Sequence, residues 1–600
     1  MIARRLFNEN VIPACSSAAV LVVGNIVDAA VTGQCLGKEA VAAFGITNPI
    51  LLGVIGLSGM LGVGTVIEIG QAVGKGEKSR VPPILATGLA TGLALGTLLL
   101  FCLLVFPGQV AAAMGAGGTL AKQASDYLRG YSFGIPAFFV QCILGFIMPV
   151  DGDKKRVVAA MGASTAVNIS LDLLNGFVLR WGLYGMALAT SVSYWVELGV
   201  LALHFRRKNK LFRFSFAPFR FRALGPIVQG GVPYALQLLL RMLGVILINR
   251  IILSVSSVES VAVFSLLMSS ANLILIDGTA VGATVLTVEN CFVGEKDIRS
   301  VTELMKTALL HGVLVNLCLT ALWLLAAPWI LRLFTRDASV YEPAVHAFRL
   351  FATCPVIYAV NYAFRSHLQC IRRTGLSIAY AAFDVLIGPV AAAFLLSRFA
   401  GLNGIWLCYT VGEALALTGL FACSMMKNRA FSLRPADHLF LDPAWEREAK
   451  EEMSVSIPNG EGALRQAVEA SAETIRFLIG RGADSRQANL LGLCAEEICS
   501  NIVRHGFKKP EHMLEMNVRK LPEGWTLSIR DNCAYFNVAD YQLIQDRQKK
   551  KLGLSIVKGC SHDVKYMSAL KINHVMVHVK PPDTQARPSM RIGKEENHEA

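Results

Sequence analysis

Twelve stretches of this 600-residue chain are each long and apolar enough to cross a membrane, and nothing else in the sequence limits its fold as strongly. A helix needs about 20 apolar residues to cross about 30 Å of hydrocarbon. Such stretches fall near 12–35, 42–70, 84–106, 127–150, 157–179, 184–204, 229–252, 262–290, 304–327, 347–369, 376–398 and 403–425. Charge divides the chain in the same way: about 12% of residues 1–436 are charged, but about 28% of residues 437–600. The long part is therefore read as membrane and the short part as water-soluble, which excludes a purely soluble enzyme. The fourteen cysteines form no C-x-x-C pair, and Cys102, Cys142, Cys318 and Cys408 lie inside apolar runs. They read as small apolar side chains rather than a disulfide or zinc framework.

An even number of spans returns the chain to the side on which it started. Lys and Arg gather at Arg4/Arg5, Lys75–Arg80, Lys154–Arg156, Arg206–Arg222, Lys296/Arg299, Arg372/Arg373 and Lys427/Arg429, all on that shared side. The alternate loops hold only scattered cations, such as Lys38, Lys122, Arg332 and Arg336. The basic side is expected to be cytoplasmic, with both termini there. The net charge of +14 thus follows from topology, and no nucleic-acid partner is expected. Arg4 and Arg5 before an apolar run resemble a secretion signal, but the further spans make it the first transmembrane helix.

The membrane part repeats itself at an offset of about 220 residues. Gly76-Glu77-Lys78 recurs as Gly294-Glu295-Lys296, Gly182-Leu183-x-Gly185 as Gly401-Leu402-x-Gly404, and Pro136 as Pro355. Glu39, Val41, Ala42 and Phe44 recur as Glu259, Val261, Ala262 and Phe264. Six spans followed by six give two lobes of the same orientation, the parallel-repeat plan of a transporter with its pathway between them. The expected parts are a first lobe over 1–205, a cytoplasmic linker over 206–228, a second lobe over 229–430, a soluble domain over 437–582 and a disordered tail over 583–600.

A carboxylate at mid-bilayer costs about 2.5–3.5 kcal/mol on insertion scales, so each one asks for a reason. Asp28 lies inside the first span, and Asp172 inside the fifth, where Asn168 precedes it by one helical turn on the same face. Two acids in one dry cavity suit a shared proton or a bound cation; lining a wet crevice or capping a helix end is the alternative. Arg241 and Asp277 in the seventh and eighth spans either line a substrate cavity or neutralise each other. Glu197 and Glu413 read as structural, and Glu68 and Glu289, near basic loops, as ion-pair partners.

The stretch NIVDAAVTGQCLGKEAVAAFGITNPI, the Gly-Glu-Lys loops after spans two and eight and the doubled six-span plan resemble the multidrug and toxic compound extrusion (MATE) family over roughly residues 5–430. In its DinF-like branch the first lobe carries an Asp on span one, an Asn and an Asp one turn apart on span five, and a Thr on span six. The resemblance therefore makes Asp28, Asn168, Asp172 and Thr190 the cation-coupling set, with Na⁺ or H⁺ as coupling ion. Another branch adds an acid on span ten; residues 344–371 contain none, so coupling is assigned to the first lobe.

After Arg434 the pattern becomes α/β. Strands are expected at 453–457, 513–520, 525–531, 563–569 and 572–580, and helices near 461–481, 485–505 and 552–560. In AEEICSNIVRHG, Glu497 and Asn501 share a helix face, a proton acceptor beside an amide able to ligate Mg²⁺. This helix resembles the N-box of the GHKL (Bergerat-fold) ATPases, in particular the anti-sigma-factor serine kinases. The resemblance makes Asp531 in LSIRDNCAYFN the adenine reader and Gly553 in KLGLSIVKG a phosphate-approach residue, with Mg²⁺ and ATP as cofactors. Cys533, Tyr535 and Lys551 replace glycines of that pattern. His562, His574 and His578 read as surface or packing residues.

The sequence thus predicts a polytopic all-α protein with twelve transmembrane helices in two six-helix lobes and a C-terminal cytoplasmic α/β domain. It is expected to be a cation-coupled antiporter of a bacterial inner membrane, exporting small organic compounds under nucleotide control, with membrane lipid around it and an anti-sigma-antagonist-like protein as a possible partner. A lipid-linked precursor flippase, or a membrane-anchored regulator with serine kinase activity, are the alternative readings.

Overall fold

The computed structural model describes residues 2–36, 38–206, 219–332, 338–429, 435–442, 445, 452–521, 524–534 and 563–579. The chain divides into two compact units, one built on Met1–Glu446 and one on Arg447–Tyr566 with Ile572–Ala600.

Among the described residues of the first unit, nine helices are each long and apolar enough to cross a membrane singly: Ile2–Asp28, Ala42–Gly74, Lys78–Val105, Lys154–Leu179, Gly182–Arg206, Phe221–Val255, Ile298–Arg332, Thr374–Ala400 and Cys408–Asn428. Three more crossings are bent pairs: Gly118–Ser132 with Ile135–Ile147, Glu259–Ile274 with Ile276–Glu295, and Val340–Phe351 with Pro355–Cys370. Each pair taken as one span gives the expected twelve, numbered here in chain order. Span one starts about ten residues before its expected edge, because Ile2, Ala3, Leu6 and Phe7 continue the helix as a buried stripe.

The duplication is visible in backbone detail. Spans four and ten bend by 54° and 51°, and in both a proline, Pro136 or Pro355, opens the second helix. Proline supplies no amide hydrogen and clashes with the preceding turn, so the break falls where the repeat places it. The second glycine of each Gly-Leu-x-Gly turn lies against a neighbour: a Cβ on Gly185 would stand 2.1 Å from Asn175 Oδ1, and one on Gly404 2.4 Å from the Leu396 carbonyl oxygen. Span eight departs from the symmetry. It bends by 49° at Leu275, whereas span two is one helix throughout.

The second unit holds a five-stranded sheet in the order β1-β2-β3-β5-β4, with β1 Glu452–Pro458, β2 Met513–Leu521, β3 Gly524–Asp531, β4 Asp563–Ala569 and β5 Ile572–Val579. Pairing is antiparallel from β1 to β2, β2 to β3 and β3 to β5. Alternate residues, Leu514/Met516/Val518, Trp525/Leu527/Ile529 and Val575/Val577/Val579, share one core with the helices Ala463–Gly480 and Ser485–Asn501. Asp484 caps the second helix by accepting from the Arg486 amide, in a capping box with Gln487. The strands and first two helices match the sequence-based expectation; the helix expected near 552–560 lies outside the described residues.

Candidate functional site

The first-lobe site is built on spans one and five. Asp28 lies on helix Ile2–Val31, and Asn168 and Asp172 lie one turn apart on helix Lys154–Leu174. The two carboxyl groups are neighbours, with Tyr127 of span four beside both. Asp172 is 1% exposed and Asn168 7%. Both carboxyl oxygens of Asp172, Oδ1 of Asp28 and Nδ2 of Asn168 are buried with no hydrogen-bond partner while both acids are ionised; a proton shared between the two carboxyl groups would join them. Buried polar atoms are nearly always paired, so four orphans in one place leave room for a bound proton or cation. A π-helical turn follows each acid, at Thr32–Leu36 and Asn175–Leu179; such turns recur where helices carry functional groups. Thr190 donates back to its own helix at Met186 O (3.2 Å), and no described hydrogen bond joins it to the acids.

The second lobe holds a cluster that sequence reading missed. Arg365 of span ten is 2.6 Å from Asp384 of span eleven, and its guanidinium lies 4.5 Å from the Tyr362 ring centroid. Asn361 donates to Glu413 Oε2 at 2.5 Å and to Asp384 Oδ1 at 3.2 Å, and accepts from the Tyr380 hydroxyl at 2.6 Å. Residues 344–371 of span ten hold no acid, yet they present the base and the amide to acids on spans eleven and twelve. Asp384 interrupting FDVLIG was the available signal. Asp277 does not pair with Arg241. It accepts from Asn316 Nδ2 at 2.6 Å and stands 3.1 Å from His311 Nε2. Glu289 is paired with His367, and Glu68 with Arg372.

The lobes meet at the ends of the spans that carry the basic loops. Backbones of spans two and seven touch there: a Cβ on Gly64 would stand 1.8 Å from the Ile227 carbonyl oxygen, and one on Gly231 1.8 Å from that of Met60. Gln71 Nε2 donates to the Cys370 carbonyl at 2.9 Å, and Arg372 Nε to Gln71 Oε1 at 2.8 Å. The two lobes are therefore in direct contact at the basic end.

In the soluble unit, Asn501 Nδ2 donates to Glu497 Oε1 at 2.7 Å, confirming that the two share a face, and no described hydrogen bond occupies the Asn501 amide oxygen. Asp531 closes β3, 4% exposed; its Oδ1 accepts from Asn573 Nδ2 at 3.0 Å and from the Cys533 amide at 2.8 Å. Tyr566 in turn donates to Asn573 Oδ1 at 2.7 Å. Burial raises the Asp531 carboxyl above its ordinary range, with the Asn573 and Cys533 hydrogen bonds acting in the opposite sense. Asn573 and Tyr566, from β5 and β4, had no motif to announce them. Cys533 fills space beside Gly506, where a Cβ would lie 3.0 Å from its Sγ. His574 and His578 meet Ser528 and Thr526 across the sheet, at 2.7 and 2.9 Å. Tyr535, Lys551, Gly553 and His562 lie outside the described residues.

Residues 13–174 and 233–394 each match the family model MatE, and residues 461–578 match the histidine kinase-like ATPase domain. The multidrug export protein MepA of Staphylococcus aureus (strain MRSA252) is 23% identical over 399 residues, 65% of this chain and 87% of that protein. The probable multidrug resistance protein YoeA of Bacillus subtilis (strain 168) is 23% identical over 424 residues, 68% and 90% of the two. Among solved structures, the outward-facing conformation of a multidrug resistance MATE family transporter of the MOP superfamily superposes with a TM-score of 0.67 at 23% identity, over 71% of this chain and 97% of that one. A MATE crystal structure in the straight conformation gives 0.66 at 23% identity, over 71% and 97%.

Proposed function

The chain belongs to the MatE family, with a histidine kinase-like ATPase domain after its membrane part, and we propose that it is a cation-coupled exporter of small organic compounds under nucleotide control. The observation that carries this reading is the set of four orphaned polar atoms on Asp28, Asn168 and Asp172. No described cation neutralises the two acids, so a proton or Na⁺ must supply what the protein leaves out. Occupancy there, between spans one and five, favours one arrangement of the lobes over the other. That bias is what couples an ion gradient to export. Thr190, one span away, is proposed to complete the set, and Arg241, partly exposed on span seven, to line the substrate cavity with Asp277.

We further propose that the basic end, where the lobes are in contact, is cytoplasmic and closed to the space between the lobes. The domain boundaries expected from the sequence are proposed on the same footing. In the soluble domain, Asn501 is proposed to hold Mg²⁺ through its free amide oxygen, Asp531 to read adenine, Gly553 to admit phosphate and Glu497 to accept a proton. Bound ATP supplies the phosphoryl group; the chain's own residues position it. An anti-sigma-antagonist-like protein remains the proposed partner of this domain.

Dye efflux from proteoliposomes under a Na⁺ or pH gradient, with and without Mg-ATP, tests the reading. Asp28→Asn and Asp172→Asn are each expected to abolish gradient-driven efflux without loss of folded protein. Wild-type rates in both variants would overturn the first-lobe assignment.

A further inference from the structure

Span eight is broken where its counterpart, span two, is continuous, and the break puts an acid at a helix start. Asp277 is in the first turn of Ile276–Glu295, where orphan amides favour negative charge. Its carboxylate, 6% exposed, is held from span nine by Asn316 Nδ2 at 2.6 Å and by His311 Nε2 at 3.1 Å. Positions about 220 residues earlier are Leu57, Thr91 and Gly96, so the pair does not come from the duplication. The other lobe packs on it and leaves the His311 side chain 23% exposed. Cys15 Sγ of span one lies 3.6 Å from Asp277 Oδ1, and the Phe7 ring meets the His311 ring edge-on at 5.4 Å.

We propose that Asp277 and His311 form a second proton-binding site, in the second lobe, whose proton is retained while span one covers it and released when the lobes part at the basic end. The inference rests on the transporter reading. With a neutral imidazole the pair carries one net negative charge, which span one must seal from water. With an imidazolium it carries none, and a paired charge costs less to bury than a lone one. Protonation therefore favours the covered arrangement, and uncovering favours release. Imidazole is the side chain that ordinarily exchanges its proton between pH 5 and 8.

Few neighbours compete. Span one contributes Cys15, and its Arg5 and Glu9 are bound to each other at 2.7 Å. Span ten contributes Tyr358, which packs on Gly278. Span two has no titratable residue between Ala42 and Ile67, and Arg241 of span seven makes no ion pair with Asp277.

Cys15 is a built-in reporter. Its alkylation by N-ethylmaleimide in the full-length protein is read by peptide mass mapping and divided, at each pH, by the rate for the same cysteine in the denatured chain. This ratio removes the ionisation that the thiol has in the unfolded chain. In an Asp28→Asn/Asp172→Asn background, which removes both first-lobe acids, the ratio is expected to be lower at pH 5.5 than at pH 8 by at least about fivefold, the lower end of a coupling between sites. Adding His311→Gln should flatten the profile. Adding Asp277→Asn instead, which leaves no buried negative charge, should keep Cys15 protected at both pH values. A flat profile in the Asp28→Asn/Asp172→Asn background, or one that His311→Gln and Asp277→Asn both leave unchanged, overturns the proposal. The readout needs no transport, so a chain that fails to export but shows this profile would lose the exporter reading and keep the site.

Discussion

Arg372, just beyond the end of span ten, forms an ion pair with Glu68 of span two and so ties the second lobe to the first. The arginine is 42% exposed and the glutamate 7%, so solvent weakens the pair to about 1 kcal/mol or less. Its importance lies in its position rather than its strength. Glu68→Gln is expected to shift the closed-to-open ratio by up to about fivefold, the population equivalent of that energy. Distances between spin labels at Lys78 and Lys296, on basic loops of opposite lobes, would show the shift as a longer component. An unchanged distribution would remove Arg372 from the seal.

Gly64 and Gly231 should matter more than the ion pair. At either position a methyl group would overlap a carbonyl oxygen of the opposite lobe at 1.8 Å, and a helix backbone cannot yield as a side chain can. Lobe separation relieves the overlap without unfolding either lobe. Gly64→Ala and Gly231→Ala are therefore expected to lose the short-distance population between the same labels while keeping the thermal unfolding temperature within a few degrees. Gly145→Ala, with nothing within 4 Å of the added Cβ, serves as the unaffected control.

The twelve spans, the duplication and the strand positions were legible because each depends on local pattern: span length, offset, alternation. The three bends were half legible. Pro136 and Pro355 stand in the sequence, but the break at Leu275 has no proline and shows only in the fold. Asp28 and Asp172 were visible as candidates because acids in apolar spans are conspicuous, and Asn168 because it precedes Asp172 by one helical turn. Arg365 with Asp384, and Asp277 with His311, were not, because pairing across spans depends on helix rotation, which a single sequence does not encode. Asn573 beside Asp531 was hidden for a similar reason: strand order brings β5 next to β3, 42 residues away in sequence.

The pair Arg365–Asp384 sits where neither charge reaches water, with side chains 5% and 0% exposed. Removing one partner leaves the other uncompensated, at a cost of about 3–5 kcal/mol. Arg365→Met should thus lower the unfolding temperature in detergent strongly, because Asp384 and Glu413 then share the cluster without a cation. Arg365→Met with Asp384→Asn should recover much of the loss. If the double variant is as unstable as the single, the cost comes from lost packing against Tyr362 and Tyr358 rather than from charge.

Asp531 separates stability from binding in the soluble domain. Burial holds its carboxyl above the ordinary value, so between about pH 4 and its folded value the folded domain binds more protons than the unfolded chain. Its contribution to stability is therefore fully present at low pH and is lost as pH rises through the folded value. Asp531→Asn, which never ionises, should gain stability relative to the wild type as pH is raised from 4 to 7, measured by unfolding of this domain in the full-length protein. If the carboxylate reads adenine, the same variant should bind Mg-ATP about tenfold or more weakly by calorimetry, the loss of a hydrogen bond to a charged group. Gain in one measurement with loss in the other means that the domain keeps a destabilising acid for its ligand. Unchanged binding would leave Asp531 as the buried end of the Asn573–Tyr566 network and nothing more.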